Sequence, residues 1–288
     1  MKFNQYKNRI MVLGLITALF ACTKEVSLDL GEVPLKLVVE GSLEVIDGEV
    51  PEVQTLKLSL LGDFFKNEAP RPATGAEVWV QDEQGNRYAY TENAGGIYEC
   101  NSLTELTSNE YSLRIIWEAQ EYVATEVMSP VAEIEGIHQI FEEETLFEDG
   151  GIKVAIDFTD PENEENFYYW ETWVDGQQFI MPDPGNSQSL IASDEFFDGN
   201  QIQGYLPNSE SVVTPGQEVL IRQIGISKNA FDYYFLLFDQ TGRTGQLVDT
   251  PPAPVRGNIR NLSDPENHPL GYFNVNQVSE KRILITEN

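Results

Sequence analysis

Tyr111-Ser112-Leu113-Arg114-Ile115-Ile116-Trp117 alternates large apolar side chains with polar ones for most of its length. Successive side chains of an extended strand point to opposite faces, so this stretch reads as a strand buried on one face. The pattern returns on both sides of it. Downstream lies 122–127 (YVATEV); upstream lie 97–100 (IYEC), 86–91 (NRYAYT) and 76–80 (AEVWV). Nearer the N-terminus, Val53, Thr55, Leu56 and 58–61 form another apolar segment, and Leu35, Leu37 and Val39 alternate with Lys36, Val38 and Glu40. Asp47-Gly48, Gln84-Gly85-Asn86 and Gly95-Gly96 fall between these segments. Such sequences supply the positive φ that tight hairpins need.

About seven short strands in about 95 residues predict an N-terminal β-sandwich of immunoglobulin type over 34–129. The Cys…Trp…Cys signature of true immunoglobulin domains is missing, so a fibronectin-like or transthyretin-like module fits better. Ser129-Pro130-Val131 reads as a linker, because proline ends a strand and favours extended chain. A second β-rich domain is expected over 130–288. Its strand candidates are 152–158, the aromatic-rich 167–174, 177–181 after the Asp175-Gly176 turn, 219–226, Gly271-Tyr272-Phe273 and 282–286. One amphipathic helix is expected near 228–240. Ser227 stands at its N-cap, and Phe231, Tyr234, Phe235 and Phe238 form a stripe expected to face the core. The predicted fold class is therefore mainly β, with two domains and one helix.

The chain opens with Lys2, Lys7 and Arg9, followed by an apolar run over 10–20 that closes on Ala21-Cys22. That run is about half of the roughly 20 residues a membrane span requires, and it fits the apolar core of a secretory signal. A small residue directly before Cys fits lipoprotein processing. Residues 1–21 are read as a lipoprotein signal peptide, Cys22 as the lipid-attachment site and 22–33 as anchor and tether. Several acyl chains on one cysteine give a stable membrane anchor.

Three of the 18 basic residues precede Cys22, and none of the 47 acidic ones does, so the remainder carries a net charge of −32. Nucleic acid binding needs clustered Lys and Arg, and this balance opposes it. The acid excess suits solubility at a crowded surface; the sharper reading is a site for divalent cations or a basic partner. Cys22 and Cys100 are the two cysteines. With Cys22 acylated, Cys100 has no disulfide partner in the chain, and it is expected to pack as a small hydrophobe.

No catalytic or cofactor-binding residues are assigned. G-x-S-x-G, H-E-x-x-H, P-loop and G-x-G-x-x-G patterns are missing, and His138 and His268 have no marked nucleophile. Acids are so abundant that no glycosidase-type carboxylate pair stands out. Residues 160–166 (DPENEEN) and 264–268 (DPENH) offer oxygen-rich side chains, as does 194–200 (DEFFDGN) with Phe196 and Phe197 as candidate core plugs. Calcium takes six to eight oxygens, but EF-hand spacing is missing, and Asp-Pro commonly opens turns. These three segments are therefore expected to be turns rather than metal sites. Trp170 and Trp173 are the candidate binding aromatics. On a strand, Trp170 shares a face with Tyr168, and Trp173 shares the other with Tyr169. Exposed aromatics stack on sugars or anchor interfaces, whereas buried ones fill a core, and the pattern leaves both open.

The lipid-site cysteine and its short tether lead into Pro34-Leu35-Lys36-Leu37-Val38-Val39-Glu40-Gly41. Further along come Gly75-Ala76-Glu77-Val78, Gly96-Ile97-Tyr98, Tyr111-Ser112-Leu113-Arg114 and 230–234. Last come Pro251-Pro252-Ala253-Pro254-Val255-Arg256-Gly257-Asn258-Ile259 and Leu270-Gly271-Tyr272-Phe273. Together these motifs resemble a Bacteroidota outer-membrane lipoprotein family known only as a domain of unknown function. The resemblance implies a gene neighbourhood shared with TonB-dependent receptors, and hence a non-enzymatic accessory subunit of an uptake complex, with no cofactor beyond the lipid on Cys22. It implies an outer-membrane location, with the cell surface favoured over the periplasmic leaflet. Thr23-Lys24-Glu25-Val26 partly matches the acidic export signal of that phylum. The alternative readings are a carbohydrate-binding surface lipoprotein using Trp170 or Trp173, a structural or assembly component of the outer membrane, and a hydrolase built on unrecognised carboxylates.

Overall fold

Each alternating segment becomes a strand with its apolar side chains inside. The computed structural model describes residues 36–61, 70–107, 109–144, 150–179, 190–209, 211–241 and 254–287. The signal segment 1–21, Cys22 and the tether 22–33 lie outside the described residues. The first half holds β1 (Leu37–Ile46), β2 (Gln54–Leu60), β3 (Arg71–Pro72), β4 (Glu77–Asp82), β5 (Arg87–Ala94), β6 (Ile97–Cys100), β7 (Glu110–Trp117) and β8 (Gln120–Val127). Next come β9 (Ile134–Glu142), β10 (Gly151–Thr159), β11 (Phe167–Val174), β12 (Gln177–Gln178), β13 (Ile191–Ser193), β14 (Gln201–Tyr205) and β15 (Glu218–Gly225). The helix α1 (Lys228–Thr241), β16 (Arg260–Asn261) and β17 (Leu270–Leu284) complete the order. The mainly β expectation holds, and the arrangement is sandwich-like.

The strands pair along one path, β12-β11-β15-β17-β1-β2-β6-β5-β4-β7-β8-β16, and β14-β10-β9 form a separate sheet. β5 pairs with β4 over its first residues and with β6 over its last, and the register slips between Glu92 and Ala94. β5 thus changes partner between Tyr90 and Thr91 and carries the path from one sheet face of the first core to the other. Leu37, Val39 and Leu58 then meet Val80, Leu113 and Ile115 in a first core, which also takes in Cys100. A second core lies between the separate sheet and the other end of the path. There Ile134, Ile156 and Phe158 meet Tyr168, Trp170 and Ile221.

The sequence marks 129–131 as a boundary, and the residues on either side mostly fill different cores. Leu35–Asn288 nevertheless forms one compact unit. β17 is the reason. It pairs in parallel with β1 from Val38↔Leu270 to Ile46↔Val278, and antiparallel with β15 from Ile224↔Val278 to Glu218↔Leu284. Phe273 and Val275 of this strand enter the first core. Its 15 residues span about 50 Å at the usual rise. The sequence suggests two short segments here because the middle of the strand is polar inside. Asn274, Asn276 and Ser279 are buried. Asn274 Nδ2 donates to Tyr234 Oη at 2.9 Å, and Ser279 Oγ accepts from the Ile134 N–H at 3.0 Å.

Gly271 opens β17 with φ +92, and a β-carbon there would run into the Val39 carbonyl oxygen on β1. Gly271→Ala is therefore expected to cost at least about 1–3 kcal/mol from backbone strain alone. Urea denaturation checks this; an unchanged midpoint would contradict the tight approach of β17 to β1.

The helix lies where the sequence places it, and Ser227 Oγ accepts the Ala230 N–H at 3.2 Å, as an N-cap does. Its facing differs in part. Phe231 and Tyr234 pack on the third core with Phe167, Ile224 and Tyr272, joined by Tyr233, which the expected stripe omits. Phe235 is 53% exposed and points outward, against expectation. Among the described residues no helix is long and apolar enough to cross a membrane.

Candidate functional site

β11 reads FYYWETWV, and its alternation sorts two chemistries to two faces. Tyr168 and Trp170 enter the second core. Trp170 is 1% exposed, stacks on Tyr168 at 5.6 Å, and donates its indole N–H to Gln223 Oε1 at 2.8 Å. It is a core residue, which corrects its candidacy as a binding aromatic. Trp173 lies on the opposite face, half-buried, with its indole N–H donated to Glu171 Oε2 at 3.1 Å.

Glu171 begins a row of charges that crosses four strands. Arg222 of β15 stands opposite Glu171 of β11 in one ladder and opposite Glu280 of β17 in the next. Its Nη1 donates to Glu171 Oε2 at 2.9 Å, its Nε to Glu280 Oε1 at 2.8 Å, and its Nη2 to Glu44 Oε2 on β1 at 2.5 Å. All four side chains are 13–19% exposed. The guanidinium fork carries enough donors to serve three carboxylates at once, which a lysine ammonium could not do in this planar arrangement. Burial opposes the charge of Arg222, but Glu44 and Glu171 more than offset it, so its pKa lies above the ordinary value. Three carboxylates against one guanidinium leave the cluster two negative charges in excess. Glu44 Oε1 accepts from Ser42 Oγ at 2.7 Å, whereas Glu171 Oε1 receives no hydrogen bond among the described residues.

This row borders a groove of about 360 Å³ between α1 and the sheet, into which Glu44 and Glu171 face with Glu40 nearby. Its walls include Tyr169, Tyr233, Tyr234 and Tyr272. Tyr169 and Tyr234 stack with centroids 5.2 Å apart and planes within 8°, and Tyr233 meets Tyr272 at 5.1 Å. Burial raises the pKa of all four phenols, so they stay neutral. No Lys, Arg or His lines the groove among the described residues.

A second cluster joins two segments that the sequence offers separately. Carboxylate oxygens of Asp160, Asp194 and Asp198 lie within 4.8 Å of one another. A hard cation would find its oxygens here, but each carboxylate already braces a loop. Asp160 accepts from Tyr168 Oη and from the Gly199 N–H, Asp194 from the Asn166 N–H at 2.7 Å, and Asp198 from the Asn163 N–H at 2.8 Å. Phe197 packs on the second core, but Phe196 is 89% exposed, which corrects its assignment as a plug. The segment 264–268 stands apart as a turn closed by Asn267 N–H on the Asp264 carbonyl. His138 lies 3.6 Å from Asp157 on the β9–β10 ladder.

Burial raises the pKa of Asp160 above 3.8, with Asp194 and Asp198 adding to the rise and the Tyr168 and Gly199 hydrogen bonds opposing it. A carboxyl raised in the fold supports stability below its unfolded pKa, and that support is lost as pH rises through the folded value. Asp160→Asn is therefore expected to gain on the wild type between about pH 4 and about pH 7. Denaturation curves at both pH values check this, and a constant difference would contradict it.

A family model described as domain of unknown function (DUF4249) matches residues 23–282. The chain belongs to this family. No curated protein matches the chain. The DUF4249 match takes in all four residues of the charged row, both Asp-bearing loops and α1. Sequence reasoning misses Arg222, Glu44, Glu171 and Glu280. The available signal is Arg222 itself, a lone charge beside Gln223 in the mostly apolar strand segment VLIRQIG.

Proposed function

We propose that this protein is an outer-membrane lipoprotein, anchored through Cys22 and facing the cell surface, that works by binding as an accessory subunit of a TonB-dependent receptor. The observation that carries this reading is the groove beside α1. It is walled by neutral tyrosines and bordered by an excess of carboxylates, which is chemistry for holding a partner rather than for breaking a bond. The family resemblance and the acidic charge of the chain support it. A lipid anchor confines the search for a receptor to the membrane plane, and a short tether raises the effective concentration. An acidic surface steers it toward a basic receptor face. A glycan platform is the weaker reading, because Trp170 is sealed in the second core.

The test is a pull-down of the tagged full-length protein from gently solubilised native membranes, with partners identified by mass spectrometry. A stoichiometric TonB-dependent receptor, released by salt, is expected. Recovery of the protein alone, or with assembly machinery and no transporter, would sink the uptake reading.

A further inference from the structure

We infer that the groove between α1 and the sheet receives the basic side chain, arginine or lysine, of a partner protein segment that also covers the outer face of α1. The inference rests on the binding role proposed above and names the chemistry of the partner at one place.

Charge is the first support. Among the described residues Glu44, Glu171 and Glu280 share Arg222 alone, all of them more than four-fifths buried. Like charges held together away from water repel one another more strongly than at the surface. An added cation would relieve this, and Glu171 lines the groove with an Oε1 that accepts from no donor among the described residues. Lys57 does not supply that cation; it pairs with Glu40 at 2.8 Å, and both are about half exposed. The walls are the second support. Neutral tyrosine faces attract ammonium and guanidinium groups, and more so where water is excluded. Ile224, Ile226 and Leu237 also line the groove, beside polar Ser42, Gln178 and Asn274, and suit the aliphatic stem of a lysine or arginine.

The helix argues for a protein segment over a free amine. α1 reads KNAFDYYFLLFDQT, yet only Ala230 is fully buried. Leu237 lines the groove and Phe238 packs on Tyr169 and Tyr234, but Phe235 is 53% exposed on the outer side and Leu236 is half-buried. A small amine would fill the groove and leave Phe235 wet, whereas a peptide segment reaches both.

Short peptides of random sequence, arrayed and probed with the full chain in detergent, test this. Peptides that pair Arg or Lys with apolar neighbours are expected to dominate the binders. Exchange of that Arg for the neutral isostere citrulline should weaken binding about tenfold or more. Glu171→Gln should cause a similar loss, although it changes the net charge of this very acidic chain by one, so diffuse attraction would not produce it. Glu44→Gln is the second variant, and the citrulline comparison on wild-type protein stands even if both variants fold poorly. Binders without basic residues, equal affinity for arginine and citrulline peptides, or indifference to both substitutions would overturn the inference. Free arginine amide binding as tightly as the peptides would overturn its assignment to a protein segment. Receptor recovery from membranes unimpaired by Glu171→Gln would remove this groove and leave the accessory role standing; basic-peptide binding without any receptor would do the reverse.

Discussion

Replacing Arg222 with methionine lowers the stability of the fold by about 3–5 kcal/mol, the range for breaking a buried ion pair from one side. The substitution keeps most of the volume and removes the cation that Glu44, Glu171 and Glu280 share. Three carboxylates are then left on adjoining strands with water largely excluded and no counter-charge from the guanidinium. Arg222→Lys is expected to recover only part of the loss, because a point charge cannot reach three acceptors across four strands with the geometry of the fork. The decisive control removes the charges as well. Arg222→Met combined with Glu44→Gln, Glu171→Gln and Glu280→Gln should restore most of the stability, since a neutral cluster of similar shape no longer holds uncompensated charge. Urea denaturation of the single and combined variants measures this. If the combined variant is as unstable as Arg222→Met alone, packing rather than charge dominates the site.

Trp170→Ala is expected to cost about 3–5 kcal/mol, as large-to-small changes at buried aromatic positions do. Trp170 is among the largest fully buried side chains, and its ring lies 4.4 Å from Tyr205 and 6.3 Å from Phe158. Removing it opens a cavity between the two sheets and leaves Gln223 Oε1 without its indole donor. Trp173→Ala, at a half-buried position near the β12 edge, should cost about 1 kcal/mol or less. The denaturation midpoint should fall sharply for the first and little for the second, with unchanged slopes in both. Comparable losses would mean that the two faces of β11 are not as different as their burial says.

Most strands were legible because a face buried on one side writes period two into the sequence. The stretch 111–117 is the clearest case, and its Leu113 and Ile115 enter the first core. β17 was not, because both of its faces are covered. With Asn274 buried and hydrogen-bonded to Tyr234, and Asn276 buried on the same face, the strand loses the contrast that alternation needs. The helix was legible from its N-cap and aromatic spacing. Which aromatics it would leave outside was not, since the six residues 233–238 are all apolar or aromatic and cover every side of the helix there. Of the sites, the two Asp-bearing loops were visible one at a time, but nothing local says that Asp160 meets Asp194 and Asp198. The Arg222 row is less visible still. Its members are single charges on four strands, brought together by a sheet order that places β17 between β1 and β15.

The pairing of β1 with β17 also sets a timetable. Val38 must find Leu270, and Ile46 must find Val278, so the first strand waits for almost the last part of the chain. Loop closure over such a separation is slow, and topologies rich in distant pairings fold slowly. A nascent or translocating chain lacking its final segment cannot complete either half of the long sheet path. Folding is thereby deferred until the whole polypeptide has emerged, a delay that would suit the export across a membrane that the proposed function requires.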